Sequence, residues 1–143
     1  MTRSKKSGKQ RKAAFNAPIH IQRKRLRARL LTDDTTFVGI RSVTVRVGDT
    51  IEVLRGDYSH PNSVKTDTRG KRQGQKRGRS GASGVVIRIN SKKGWVFVEG
   101  LTLTKADGKE EAVGIHASNI VVTKLDEGDP VRLANLAARA GGA

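Results

Sequence analysis

From Ser42 onward the apolar residues recur with a period of two, in runs too short and too closely broken by turns to be helices. Val43, Val45 and Val47 alternate with Thr44 and Arg46, and Gly48-Asp49 then turns the chain. Ile51 and Val53 carry the alternation on, and Val85, Ile87 and Ile89 resume it against Val86 and Arg88. Residues 90–94 (NSKKG) read as a turn, WVFVEG as a strand, and LTLTK extends it towards a hairpin at Asp107-Gly108. EEAVGI and NIVVTKL supply the last strands. The only aromatics are Phe15, Phe37, Tyr58, Trp95 and Phe97, so the core is small and aliphatic, and β-branched residues suit a half-buried pleated sheet. The expectation is a mostly β domain, a small barrel or sandwich, in one unit of 143 residues with appendages. Trp95 and Phe97 share one strand face and Val96 and Val98 the other; both faces are apolar, so alternation leaves open which is core.

The alternation stops at Leu54 and resumes only at Val85. Between them, residues 58–80 hold glycines, serines and seven cations: Lys65, Arg69, Lys71, Arg72, Lys76, Arg77 and Arg79, opposed by Asp67 alone. Residues 1–31 are similar, with eleven Lys and Arg and no acid. Outside these two segments the chain has eleven basic and twelve acidic residues, a formal −1, so the whole excess of +16 lies in the segments. They repel themselves and bury too little apolar surface to offset ordering entropy. A polyanion would neutralise them: RNA or DNA first, an anionic membrane surface second. In residues 58–80, glycines let the backbone follow an irregular surface while arginines offer forked donors to phosphate.

Residues 1–17 read as a basic extended arm and residues 18–31 as a short basic helix. Pro18 suits a first helical turn, Ile19, Leu26 and Leu30 fall on one stripe, and Arg23, Lys24, Arg27 and Arg29 cover much of the rest. The barrel is expected over residues 40–125, with 58–80 inserted in it. Residues 126–143 form a C-terminal tail or short helix, which Asp129-Pro130 would start. No run reaches the apolar length of a membrane span, and the polar N-terminus lacks a signal-peptide core, so membrane insertion is not expected. The absence of cysteine fits a reducing cytosol and removes disulfides and thiolate metal sites.

Nothing in the sequence assembles an active site. His20, His60 and His116 are scattered without metal-ligand spacing, and GQKRGRSG has arginine where a phosphate-cradling loop needs lysine. Asp49, Glu52 and Asp57 read as strand-end or solvated carboxylates, with no partner for acid–base work. No enzyme, cofactor or metal is expected.

The stretch VRVGDTIEVLRGD…GASGVVIRI resembles a KOW motif, the strand–loop–strand unit of SH3-like barrels. In that resemblance Gly48 and Asp49 turn the chain, Gly56 permits a tight exit, Gly81 flanks the loop's return, and Gly84 permits close backbone approach. The flanks RKAAFNAPIHIQRKRL, IRSVTVRVGD and VFVEGLTLTKADGKE…GIHASNIVVTKLD resemble the universal large-subunit ribosomal protein family twenty-four, in its archaeal and eukaryotic branch. The likeness covers roughly residues 10–127. It implies an SH3-like barrel with an N-terminal arm that binds large-subunit rRNA in its 5′ region, near the peptide tunnel exit and early in assembly. Neighbouring ribosomal proteins and factors acting at the tunnel exit are the implied protein partners, and the cytoplasmic large subunit the implied location. The family's RNA contacts carry over to the Arg11–Lys12 region, His20, Arg23, Lys24, the loop flanking Gly56 and Gly81, and the segment from Lys105 to His116. Together with the charge reading, the expected phosphate contacts are Lys5, Lys6, Lys9, Arg11, Lys12, His20, Arg23, Lys24, Arg27, Lys65, Arg69, Lys71, Arg72, Lys76, Arg77, Arg79, Lys105 and His116. Two features depart from the family or lie outside the likeness: the long Tyr58–Ser80 stretch and the segment after residue 127. A KOW module outside the ribosome is the alternative reading.

Overall fold

The period-two runs become strands of one sheet. The computed structural model describes residues 4–56, 58–59, 64–65, 72–73 and 81–141. In chain order these form helices α1 (Ser7–Phe15) and α2 (Ile19–Gln22), then strands β1 (Arg27–Leu30), β2 (Ser42–Thr44) and β3 (Thr50–Val53). The short strands β4 (Val64–Lys65) and β5 (Arg72–Gln73) lie in the inserted stretch and pair with each other, Lys65 opposite Arg72. Strands β6 (Ser83–Asn90), β7 (Trp95–Thr104), β8 (Glu110–His116) and β9 (Ile120–Lys124) follow, then helix α3 (Pro130–Gly141). Short 3-10 turns occupy Arg23–Leu26, Thr35–Phe37 and Ala117–Asn119. The sheet order is β2-β1-β9-β3-β6-β7-β8. Its pairs are antiparallel except β1 with β9. This is a mostly β, SH3-like barrel left open between β2 and β8. No helix among the described residues is long and apolar enough to cross a membrane.

All seven strands feed one aliphatic cluster that includes Ala28, Val43, Ile51, Val53, Val86, Val96, Val98, Ile115 and Val122. Two local devices keep the inner face apolar. The first is a bulge in β6: Val86 pairs with Val98 but Arg88 pairs with Phe97, so β6 spends one extra residue, Ile87. Val86 and Ile89, three apart, therefore both turn towards the core, while Val85 and Ile87 are exposed. The second is Gly84, where an added Cβ would stand 2.8 Å from Val98 Cγ1 and 2.9 Å from the Glu99 carbonyl oxygen. Only glycine lets β6 lie that close to β7. The open question about β7 is settled by packing. Val96 and Val98 join the aliphatic cluster, whereas Phe97 and Trp95 lie on the other face under cations, Arg88 4.4 Å and Lys93 4.6 Å from the ring centroids; Phe97 is buried there and Trp95 is partly exposed.

Three expectations need correction. Residues 7–15 are helical, not extended: KQRKAA is a run of strong helix formers, although the helix buries nothing. The helix expected over 18–31 ends at Leu26, and Arg27–Leu30 is strand β1. Leu26, Ala28 and Leu30 also fit a period of two, and pairing with β2 on one side and β9 on the other decides between the readings. Val47 is 54% exposed, because the alternation that starts at Val43 ends with Val45 and the chain turns at Gly48, φ +92°.

Asp49 stands at a strand end, directly before β3, but it is no solvated carboxylate. It is fully buried, and Arg132 of α3 grips it with two parallel bonds, Nη1 to Oδ1 at 2.6 Å and Nη2 to Oδ2 at 2.7 Å. The backbone N–H groups of Arg46 (2.8 Å) and Asp126 (3.0 Å) donate to the same carboxylate, and Arg132 Nη2 also reaches the Thr44 carbonyl. Leu136 of α3 completes the cluster beside this pair. The C-terminal segment is thus a docked part of the domain. Its start is capped as Asp129-Pro130 suggested: Asp129 Oδ1 accepts the Arg132 N–H at 2.9 Å.

That backbone bond, helped by the charge of Arg46 and its hydrogen bond, holds the Asp129 carboxyl below the usual carboxylate range. A group so depressed stabilises the folded state above its unfolded pKa, and the contribution is lost as pH falls through the folded value. Asp129→Ala should therefore lower the urea midpoint at neutral pH. The gap from the parent protein should close as acid, below about pH 4, protonates the carboxylate. A gap independent of pH would refute the charged-cap role.

Candidate nucleic-acid interface

The two cationic segments leave the barrel from neighbouring points. Arg25 is the hinge of the first. Its Nη2 donates to the Ala14 carbonyl at the end of α1 (2.6 Å) and its Nη1 to the Lys92 carbonyl in the β6–β7 turn (2.8 Å). That turn is packed on His116: a Cβ at Gly94 would meet the His116 Nε2 at 3.2 Å, and the Ala117 N–H reaches the Gly94 carbonyl at 3.4 Å. His116 Nδ1 accepts the Ser118 N–H at 3.2 Å, capping the 3-10 turn. Asn119 in that turn offers its carbonyl to the Leu54 and Arg55 N–H groups (2.8 and 3.2 Å), where the second segment departs through Gly56, φ +95°. Arm, β6–β7 turn, His116–Asn119 and the base of the insertion form one connected end.

The insertion is tied at its base. Tyr58 Oη donates to the Thr102 carbonyl at 3.3 Å, Ser59 Oγ to Gly56 at 2.6 Å, and the Ala82 N–H to the Tyr58 carbonyl at 2.9 Å. Gly81 has no room for a side chain, since a Cβ there would lie 1.7 Å from the Val53 carbonyl oxygen. Tyr58 and Ser59 thus belong to the barrel, and the insertion proper starts after them.

At this end the cations are exposed and unopposed. Lys5, Lys6, Lys9, Arg11, Lys12, His20, Arg23, Lys24 and Arg27 are all exposed. None of these has a carboxylate partner among the described residues. Beneath them runs a cleft walled by Ala13, Ala14, Pro18 and Ile21, with Lys24 and Arg25 at its rim. Sequence reasoning missed Arg25, Lys92 and Lys93; the last covers the partly exposed Trp95, which pairs with His116 across the hairpin. A turn with two lysines beside an aromatic was the available signal. Of the insertion, Arg69, Lys71, Lys76, Arg77 and Arg79 lie outside the described residues, and Lys65 and Arg72 are placed only by strand pairing.

Lys105 does not join this group. It sits at the far end of the β7–β8 hairpin from His116, and its Nζ is 2.6 Å from Glu111 Oε2. The hydrogen bond and charge of Lys105 hold the Glu111 carboxyl below the ordinary range. With Asp107 and Glu110 nearby, that tip repels phosphate as much as it attracts it. Among the described residues no group of His, Asp and Glu could hold a metal.

A small open barrel with an unpaired cationic end, an exposed tryptophan beside it and a strand–loop–strand unit resembling the KOW motif is the architecture of a KOW-type protein with a surface suited to a polyanion. The comparisons make the family explicit: the family described as the eukaryotic ribosomal proteins L26 and their archaeal counterparts matches residues 4–139. The large ribosomal subunit protein uL24 of Methanocella arvoryzae is 38% identical over 136 residues, covering 95% of this chain and 93% of that one. Those of Haloarcula marismortui and Sulfolobus acidocaldarius are 38% and 36% identical, over 93% and 91% of this chain and 93% and 81% of theirs. The chain belongs to this ribosomal-protein family, and its role is structural rather than enzymatic. The match runs past residue 127 and takes in most of α3.

Proposed function

We propose that this protein is a constituent of the large ribosomal subunit that binds large-subunit rRNA through the cationic end of its barrel. The observation that supports the reading is that Arg25 ties the arm to the β6–β7 turn against His116, while the base of the insertion is bonded to Asn119 in the adjoining turn. The nearly neutral barrel sets the position, and the arm and insertion neutralise phosphates, with released counterions supplying much of the affinity. By family resemblance the site is the 5′ region of that rRNA near the peptide tunnel exit, bound early in assembly. Neighbouring ribosomal proteins, and factors acting at the exit, are then within reach of the remaining surface. Lys105 is left out of the contact set because Glu111 already neutralises it.

Co-sedimentation tests this reading. Tagged protein should travel with large subunits in gradients of high salt, because contacts buried in a folded particle are screened less than surface ones. A pool that never sediments with ribosomes would overturn it.

A further inference from the structure

We infer that a second anchor for the RNA backbone lies at the C-terminal helix, in the groove between α3 and the β1–β2 hairpin. The inference rests on the rRNA reading above and assigns a phosphate subsite within it. The groove encloses about 400 Å³, and its walls carry Lys24, Arg27, Ser42, Arg46, Asn135 and Arg139. These side chains come from three parts of the chain, and the fold alone brings them together.

Two cations of the groove are already engaged. Arg132 is bound to Asp49, and Arg46 pairs with Asp129. Lys24, Arg27 and Arg139 have no carboxylate partner among the described residues, so the groove holds about three uncompensated positive charges. Arg27 is already oriented, its Nη2 donating to Ser42 Oγ at 2.9 Å. Two guanidinium groups, a hydroxyl and a side-chain amide lining one groove match the tetrahedral, multiply accepting oxygens of a phosphate. The walls are rigid because the buried Asp49–Arg132 pair fixes α3 against β2. Lys24 also lines the cleft under the N-terminal arm, so a phosphodiester chain that follows the arm continues into the groove without leaving positive potential.

A purely structural role for Arg139 is available, since a cation in the last turn complements the helix dipole. The two roles separate experimentally. The full chain is titrated with a transcript of the large-subunit rRNA 5′ domain over a range of potassium chloride, and melting is followed in parallel. Arg139→Gln and Arg27→Gln should each lower the slope of log K against log salt by about 0.7–0.9, with the melting temperature held. Arg139→Lys, which keeps the charge, should retain the slope. An unchanged slope in Arg139→Gln, or a lower melting temperature with the slope intact, overturns the groove. If that happens while neutralising the arm still flattens the slope, the rRNA reading stands. Failure of the parent protein to bind the transcript would instead remove the rRNA reading and the groove with it.

Discussion

Arg132→Ala should destabilise the domain by about 3–5 kcal/mol, a large part of the 5–15 kcal/mol that holds a typical domain together. The loss comes less from the missing attraction than from what is left behind. Asp49 is fully buried, and without the guanidinium it keeps only the Arg46 and Asp126 N–H groups as donors. Thr44 loses the Arg132 bond to its carbonyl, and α3 loses the anchor that seats Leu136 in the core. Asp49→Ala should be at least as severe, because it strands the buried guanidinium and two backbone donors together. The double variant should recover part of the loss, since no charge is then abandoned, though not all, as the Arg46 and Asp126 N–H groups still lack their acceptor. Urea unfolding of the three variants measures this. A near-zero effect of Arg132→Ala would mean that α3 is not held by this pair.

The second large effect concerns binding and leaves the fold alone. Replacing Lys5, Lys6, Lys9, Arg11 and Lys12 by glutamine should cost about a hundred- to a thousandfold in rRNA affinity at moderate salt. The salt slope should fall by as much as about four if all five meet phosphate. The fold should not respond, because α1 buries none of its residues and glutamine is nearly as good a helix former as lysine. Filter binding at several salt concentrations gives affinity and slope, and circular dichroism checks the fold. Weaker binding with an unchanged slope would assign the arm to contacts other than phosphate.

Much of this architecture is written locally. Alternation places β2, β3, β6, β7 and β9, Asp107-Gly108 closes the β7–β8 hairpin, and Asp129-Pro130 starts α3. Charge segregation marks the arm and the insertion as binding segments before any fold is known. What stays hidden is what the fold brings together over distance. Leu26 and Leu30 satisfy a helical and a strand period alike, and pairing with β2 and with β9, some ninety residues on, selects the strand. Asp49 looks like a turn residue because its partner lies 83 positions away. Ile89 is turned inward, away from the face of Val85 and Ile87, by a bulge that their alternation conceals. His116 and Lys105 bracket one continuous segment, yet the hairpin sends them to opposite ends, one beside the cationic arm and the other against Glu111.

The central claim is that arm and insertion act together on one polyanion from one end of a neutral barrel. Its most direct measurement is the salt slope of rRNA binding for four proteins: the full chain, the arm-neutralised chain, a chain with residues 60–80 replaced by a short glycine linker, and the combination. The linker can close because Tyr58 and Ala82 are already joined by a backbone hydrogen bond. Each change should lower the slope, the combination should leave only the small slope of the barrel and its groove, and all four proteins should melt cooperatively. A combined variant that keeps the full slope would contradict the claim.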